Sequence, residues 1–167
     1  VPMLAMLTHG TPDNGIREKQ DIIVETAAMP HEDWKMAYLY SKVVEVFHSQ
    51  GLLRFNAMVY RMCGWGRYQD FYVGLLKWCL SNPQTVAGRE VCAIRDLLDG
   101  ALAGFPWDCT NEKFGDISWP PEEFAFARIC CELDRFYDEI PFDVPVEQRF
   151  VGPVPGDEER WARENVW

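Results

Sequence analysis

The chain has 167 residues, 48% of them hydrophobic and 14% aromatic, enough apolar material for one folded domain rather than a disordered chain. Its formal charge is −10, with no cluster of Lys and Arg, which excludes a nucleic-acid surface and disfavours docking on anionic membranes. No apolar run approaches the roughly 20 residues that a membrane-spanning helix needs.

Residues 1–21 read as an irregular lead-in. The first seven residues are too short and lack the basic lead of a secretory signal. The chain opens on Val1 rather than Met, as expected of a piece of a longer protein. Gly10, Thr11, Pro12, Asp13, Asn14 and Gly15 are turn chemistry, and 22–26 reads as one short strand. Pro30 suits a first helical position, Glu32 and Asp33 follow it, and Gly51 supplies a stop, so a helix is predicted over 30–51. A second helix fits 52–63, ended by Gly64, Trp65 and Gly66. A third fits 67–80, where Tyr68, Phe71, Tyr72, Leu75, Leu76 and Cys79 recur at helical spacing.

Ser81, Asn82 and Pro83 break that pattern. The fourth helix, 84–103, places Val86, Val91, Ile94, Leu97, Leu98 and Ala101 on one face, and Gly104 ends it. A polar loop over 105–119 leads to Pro120 and Pro121, where a fifth helix begins and runs to 140. Phe126, Ile129, Cys130, Leu133, Phe136 and Tyr137 share its apolar face. Arg128, Glu132 and Arg135 share the opposite face with favourable charge spacing, and Phe124 and Cys131 fall on that polar side. Beyond 140 the prolines at 141, 145, 153 and 155 mark an extended tail, and a short terminal helix fits 158–167. The fold class expected is therefore all-α. About five helices form an irregular bundle over 30–140, behind a lead-in at 1–29 and ahead of a Pro-rich tail at 141–167.

Chemistry is sparse. The six cysteines, Cys63, Cys79, Cys92, Cys109, Cys130 and Cys131, contain no Cys-x-x-Cys. Cys63, Cys79, Cys92 and Cys130 sit in apolar helical patterns, so they read as reduced core thiols of a cytoplasmic protein, and no metal is expected in this chain. The three histidines lack ligand spacing. Gly64 and Gly66 lack the third glycine and the strand–turn–helix setting of a phosphate loop.

Glu90 falls inside the apolar face of its helix, between Leu97 and Ala101. It either faces a pocket or pairs with an Arg. His48 lies near Trp34 and Ser41 on the helical wheel and is either a ligand donor or a packed histidine. Glu122 and Glu123 have the form of a catalytic carboxylate pair but are more economically first-turn acids. Asp116, after Gly115, is either a binding residue or turn chemistry. No self-contained catalytic constellation emerges.

Three stretches carry a family resemblance. The first runs from Ile23-Val24-Glu25-Thr26-Ala27-Ala28-Met29 through Glu32-Asp33-Trp34 to Phe47-His48-Ser49-Gln50-Gly51-Leu52. The second is Tyr68-Gln69-Asp70-Phe71-Tyr72. The third joins Gly115-Asp116-Ile117-Ser118-Trp119-Pro120-Pro121-Glu122-Glu123 to Leu133-Asp134-Arg135-Phe136-Tyr137. Over roughly 3–140 the chain resembles the helical C-terminal region of cobalamin-binding radical S-adenosylmethionine (SAM) proteins. That resemblance implies a parent enzyme whose N-terminal domains hold cobalamin, an iron–sulfur cluster and S-adenosylmethionine, many members being methyltransferases. The three-cysteine cluster motif is absent from this chain, and the resemblance supplies no catalytic residue.

The implied role is to cap the barrel and shape the pocket of an unknown small-molecule substrate, with the parent's N-terminal domains as partners. Trp34, His48, Glu90, Asp116 and Trp119 are the pocket candidates. The alternative is a free-standing helical binding module for a protein or small ligand. A hydrolase built on Glu122 and Glu123 carries little weight.

Overall fold

The computed structural model describes residues 3–7, 19–115 and 117–141. Strand β1 (Met3–Leu7) pairs antiparallel with β2 (Lys19–Ile23), Met3 opposite Ile23 and Leu7 opposite Lys19. The lead-in expected to be irregular thus contributes a two-stranded ladder, and the strand sits a few residues earlier than 22–26. Lys19, Gln20 and Asp21 are too polar to announce a strand. Backbone pairing with β1 places them in one. The prediction of a terminal helix at 158–167 lies outside the described residues.

Among the described residues six α-helices follow, and they carry the core. Helix α1 (His31–Val44) begins after Pro30, with Glu32 and Asp33 in its first turn. It runs directly into a π-helical turn, Glu45–Ser49. Helix α2 (Arg54–Met62) and helix α3 (Tyr68–Ser81) follow. Helix α4 (Val86–Leu102) is capped by Thr85, whose hydroxyl accepts from Gly88 N–H at 3.0 Å. Gly104 adopts φ +91° beyond its end, a conformation that glycine takes without strain.

The expected fifth helix is two. Helix α5 (Pro121–Cys130) stops at a turn through Cys131 and Glu132, and helix α6 (Leu133–Glu139) sets off in a new direction. No proline or glycine marks that break. It is a tertiary effect, because it lets Phe136 stack on Phe47 with ring centroids 6.0 Å apart.

The core is one cluster that draws Leu39, Val43 and Phe47 from the first helical stretch, Phe71 and Leu75 from α3, and Ile94 from α4. Helix α4 packs against α1, α3, α5 and α6, and β1 lies beside it. It is the central element of the bundle. Each large apolar side chain buried there contributes about 1.5–3 kcal/mol.

Candidate functional site

A groove of about 470 Å³ runs between α4, the loop that follows it, and α5. Ile94, Leu97, Phe105, Pro106 and Phe124 form its apolar walls, and Glu90, Asp96, Cys109 and Arg128 supply its polar groups. The size falls within the range of small-molecule sites. Phe105 is 65% exposed at one lip.

Helix α4 carries Glu90 into this groove on a well-fixed N-terminus. Besides the Thr85 cap, Val86 N–H donates to the Glu139 carboxylate of α6 at 2.6 Å. Glu90 is only 2% exposed. Its Oε1 accepts from Arg89 Nε at 2.8 Å, and its Oε2 lies 3.2 Å from Arg128 Nε. Arg89 also donates through Nη2 to Glu132 Oε1 at 2.6 Å, so α4, α5 and the turn before α6 share one ionic network. A buried carboxylate without such partners would cost several kcal/mol. Glu90 both pairs with two arginines and lines the groove.

Arg128 has its cationic partner role with Glu90 rather than with the Glu132 and Arg135 face. Its guanidinium carbon lies 5.6 Å from the centre of the Phe124 ring. Phe124, expected on the polar side, is 8% exposed. What covers it is a loop residue, Phe114, which meets it edge-on at 5.4 Å. Helical periodicity does not register cover supplied by a loop.

The groove's mouth is held by backbone pairing between Cys109 and Trp119, with N–H to carbonyl distances of 2.9 and 2.8 Å. Trp119 Nε1 donates to the Phe114 carbonyl at 3.1 Å. Burial, reinforced by the negative charge of Asp108, pushes the Cys109 thiol up to about 11, so it stays protonated and is a poor nucleophile at neutral pH. Burial pushes Cys79 up to about 12. Cys79 is a core thiol as expected, whereas Cys63 and Cys130 are exposed, because α2 and α5 end where those residues turn outward. Among the described residues no group of three His, Cys, Asp or Glu side chains has metal-binding geometry.

The four candidates among the described residues lie in different surroundings. Glu90 lines the groove, and Trp119 reaches it through its backbone pairing with Cys109. Trp34 stacks on Tyr38 at 5.2 Å, and Tyr38 meets Trp107 edge-on at 5.5 Å. His48 faces α3, where its Nδ1 lies 2.8 Å from the Tyr72 hydroxyl and its ring meets Tyr68 and Tyr72 edge-on. Burial raises the Tyr72 hydroxyl above its usual range, so it stays protonated and shares a hydrogen bond with Nδ1. Asp116 lies outside the described residues.

Glu122 pairs with Lys42 at 3.0 Å, and Lys42 also binds Glu45 at 2.8 Å. Glu122 Oε2 is buried with no hydrogen-bond partner among the described residues. Glu123 is exposed. The two acids thus have different surroundings, and Glu122 ties α5 to the end of α1. Sequence reasoning missed Arg128 and Phe105. The available signal for Arg128 was Glu90 itself, an acid on an apolar face that needed a cation from elsewhere in the chain.

No family model matches the chain. It is similar to two curated proteins, each 25% identical over 144 residues. One is the cobalamin-dependent radical SAM methyltransferase TokK of Streptomyces tokunonensis. The other is the 2-(S-pantetheinyl)-carbapenam-3-carboxylate methyltransferase of Streptantibioticus cattleyicolor. Each match covers 78% of this chain but 21% of the relative, so the chain spans about a fifth of the length of the curated relatives it matches. The likeness is partial, and it falls within the group of enzymes that the sequence motifs resemble.

Proposed function

We propose that this chain is a C-terminal accessory domain of a cobalamin-dependent radical SAM enzyme, one that caps the barrel and shapes the substrate pocket without catalysing alone. The observation that carries this reading is the match of most of the chain to a fifth of two methyltransferases, one of them cobalamin-dependent radical SAM. Two features of the fold support it. The groove is open on one side, with Phe105 exposed at its lip, as suits a surface completed by a neighbouring domain. Strand β1 lies beside α4, so a preceding polypeptide would join the domain along the groove-bearing helix.

Cobalamin, S-adenosylmethionine and an iron–sulfur cluster belong, in this reading, to the parent's other domains. A cluster needs several converging thiolates. The six thiols here are scattered over the bundle, and the described residues do not fit one. The reduced thiols suit a cytoplasmic parent. Among the described residues no helix is long and apolar enough to cross a membrane.

The test is the coding sequence upstream of Val1 and the protein it encodes. The expected result is a continuous frame with a Cys-x-x-x-Cys-x-x-Cys motif, whose anaerobically expressed product shows iron–sulfur and corrinoid absorption that this chain lacks. A natural start codon immediately before Val1 overturns the proposal. The second reading, a free-standing binding module, draws on the outward face of α2 and the turn after it, where Phe55 is 73% exposed beside Met62 and Trp65. That reading predicts a colourless full-length product whose melting temperature shifts with a ligand.

A further inference from the structure

Burying Glu90 is hard to justify as a device for stability. An apolar side chain of similar volume would fill the same place without desolvating a charge. What the buried carboxylate does achieve is to hold Arg128. Its Oε2 lies 3.2 Å from the Nε of that guanidinium, whose carbon stands over the Phe124 ring, 5.6 Å from the ring centre. The Arg128 side chain is 36% exposed. Among the described residues no hydrogen bond runs from its two Nη groups. A cation thus stands at the edge of an apolar groove, with Nη groups that carry no hydrogen bond among the described residues. The groove's two acids are both engaged by arginines, Glu90 by Arg89 and Arg128, and Asp96 by Arg95 at 3.0 and 2.8 Å. Ile94, Leu97, Phe105 and Phe124 leave the rest of the wall apolar.

We propose that the groove takes a small amphiphilic carboxylate, its anionic head on the Nη edge of Arg128 and its apolar body between α4 and α5. The inference rests on the reading of this groove as a pocket-forming surface, and it names the class of molecule the pocket receives. Arg128 is the binding residue, and Glu90 is a positioning residue that acts through it.

Octanoate is the probe, titrated calorimetrically into this chain beside octylamine and octanol. Octanoate is expected to bind at least about tenfold more tightly than either, the margin a charge-assisted pair supplies. Removing Arg128 alone would leave Glu90 Oε2 without its cation, so the variant is Glu90→Gln with Arg128→Gln, and it is expected to erase the preference for octanoate. Ala93→Trp, which fills the groove from its exposed side and leaves the ion pairs alone, is expected to abolish binding of all three. Equal affinity for octanoate and octylamine overturns the proposal, as does a preference that survives the double substitution or binding that survives Ala93→Trp. If the double variant does not fold, the probe comparison and Ala93→Trp still decide. An upstream radical domain with an indiscriminate groove sinks this inference alone. A selective groove in a chain with no upstream domain sinks the accessory-domain reading and leaves the groove chemistry standing.

Discussion

Glu90 and His48 show what a single position can and cannot declare. A carboxylate between Leu97 and Ala101 is visible as an anomaly from helical spacing alone, and the anomaly is real. Its partner Arg128 lies on another helix and on what the wheel draws as that helix's polar face, so the pairing is not legible. For His48 the wheel itself misleads. A π-helical turn adds a residue per turn at Glu45–Ser49, so His48 does not continue the Trp34–Ser41 line and faces α3 instead. Its ring is partly stripped of water, and Arg54 stands close by, so its pKa is lowered from the ordinary histidine value. The unfolded chain takes up a proton below about pH 6.5 that the folded chain resists. The stability tied to His48 is therefore complete above that pH and is lost as pH falls through the lower folded value. Thermal melts between pH 7.5 and 5 are expected to show a smaller loss in His48→Gln, which keeps an acceptor for Tyr72 but does not titrate. Parallel curves for the two proteins would remove His48 from the account.

At the scale of the element, starts are more legible than directions. Pro30 and Pro121, each followed by acids, open helices where expected. The turn at Cys131 and Glu132 was invisible because its cause lies 80 or more residues away, in the demand of Phe136 for Phe47. The junction of α3 with α4 is tighter than its composition suggests. A Cβ on Gly88 would overlap the Asn82 carbonyl and sit 2.8 Å from the Cys79 oxygen. Backbone atoms in two elements would have to move, so Gly88→Ala is expected to destabilise the chain by about 2 kcal/mol or more. Gly74, exposed in the middle of α3, has open space where a Cβ would go. Gly74→Ala is expected to stabilise by about 0.5–1 kcal/mol, giving an internal control in the same denaturant titration.

At the scale of the whole molecule, hydrophobic spacing was enough to indicate an all-α bundle, because most of the helices bury a coherent face. The groove was not legible, because one of its walls is a loop and its cation comes from a helix distant in sequence from Glu90. Phe105 separates the groove's role in assembly from its role in folding. Its side chain stands mostly in solvent, so Phe105→Glu is expected to change the stability of this chain by no more than about 0.5 kcal/mol. In the full-length parent the same substitution places a charge at the proposed domain contact, and a melting temperature lowered by several degrees is the expected result. An unchanged parent would place the contact elsewhere.

The bond from Val86 N–H to Glu139 has a consequence for biosynthesis. The group that completes the first turn of the central helix is supplied by a residue 53 positions later. On the ribosome, α4 emerges with its N-terminal amide waiting for a carboxylate that has not yet been made. A shortened version that stops at α5 lacks that carboxylate, so the first turn of its central helix keeps the Thr85 cap alone.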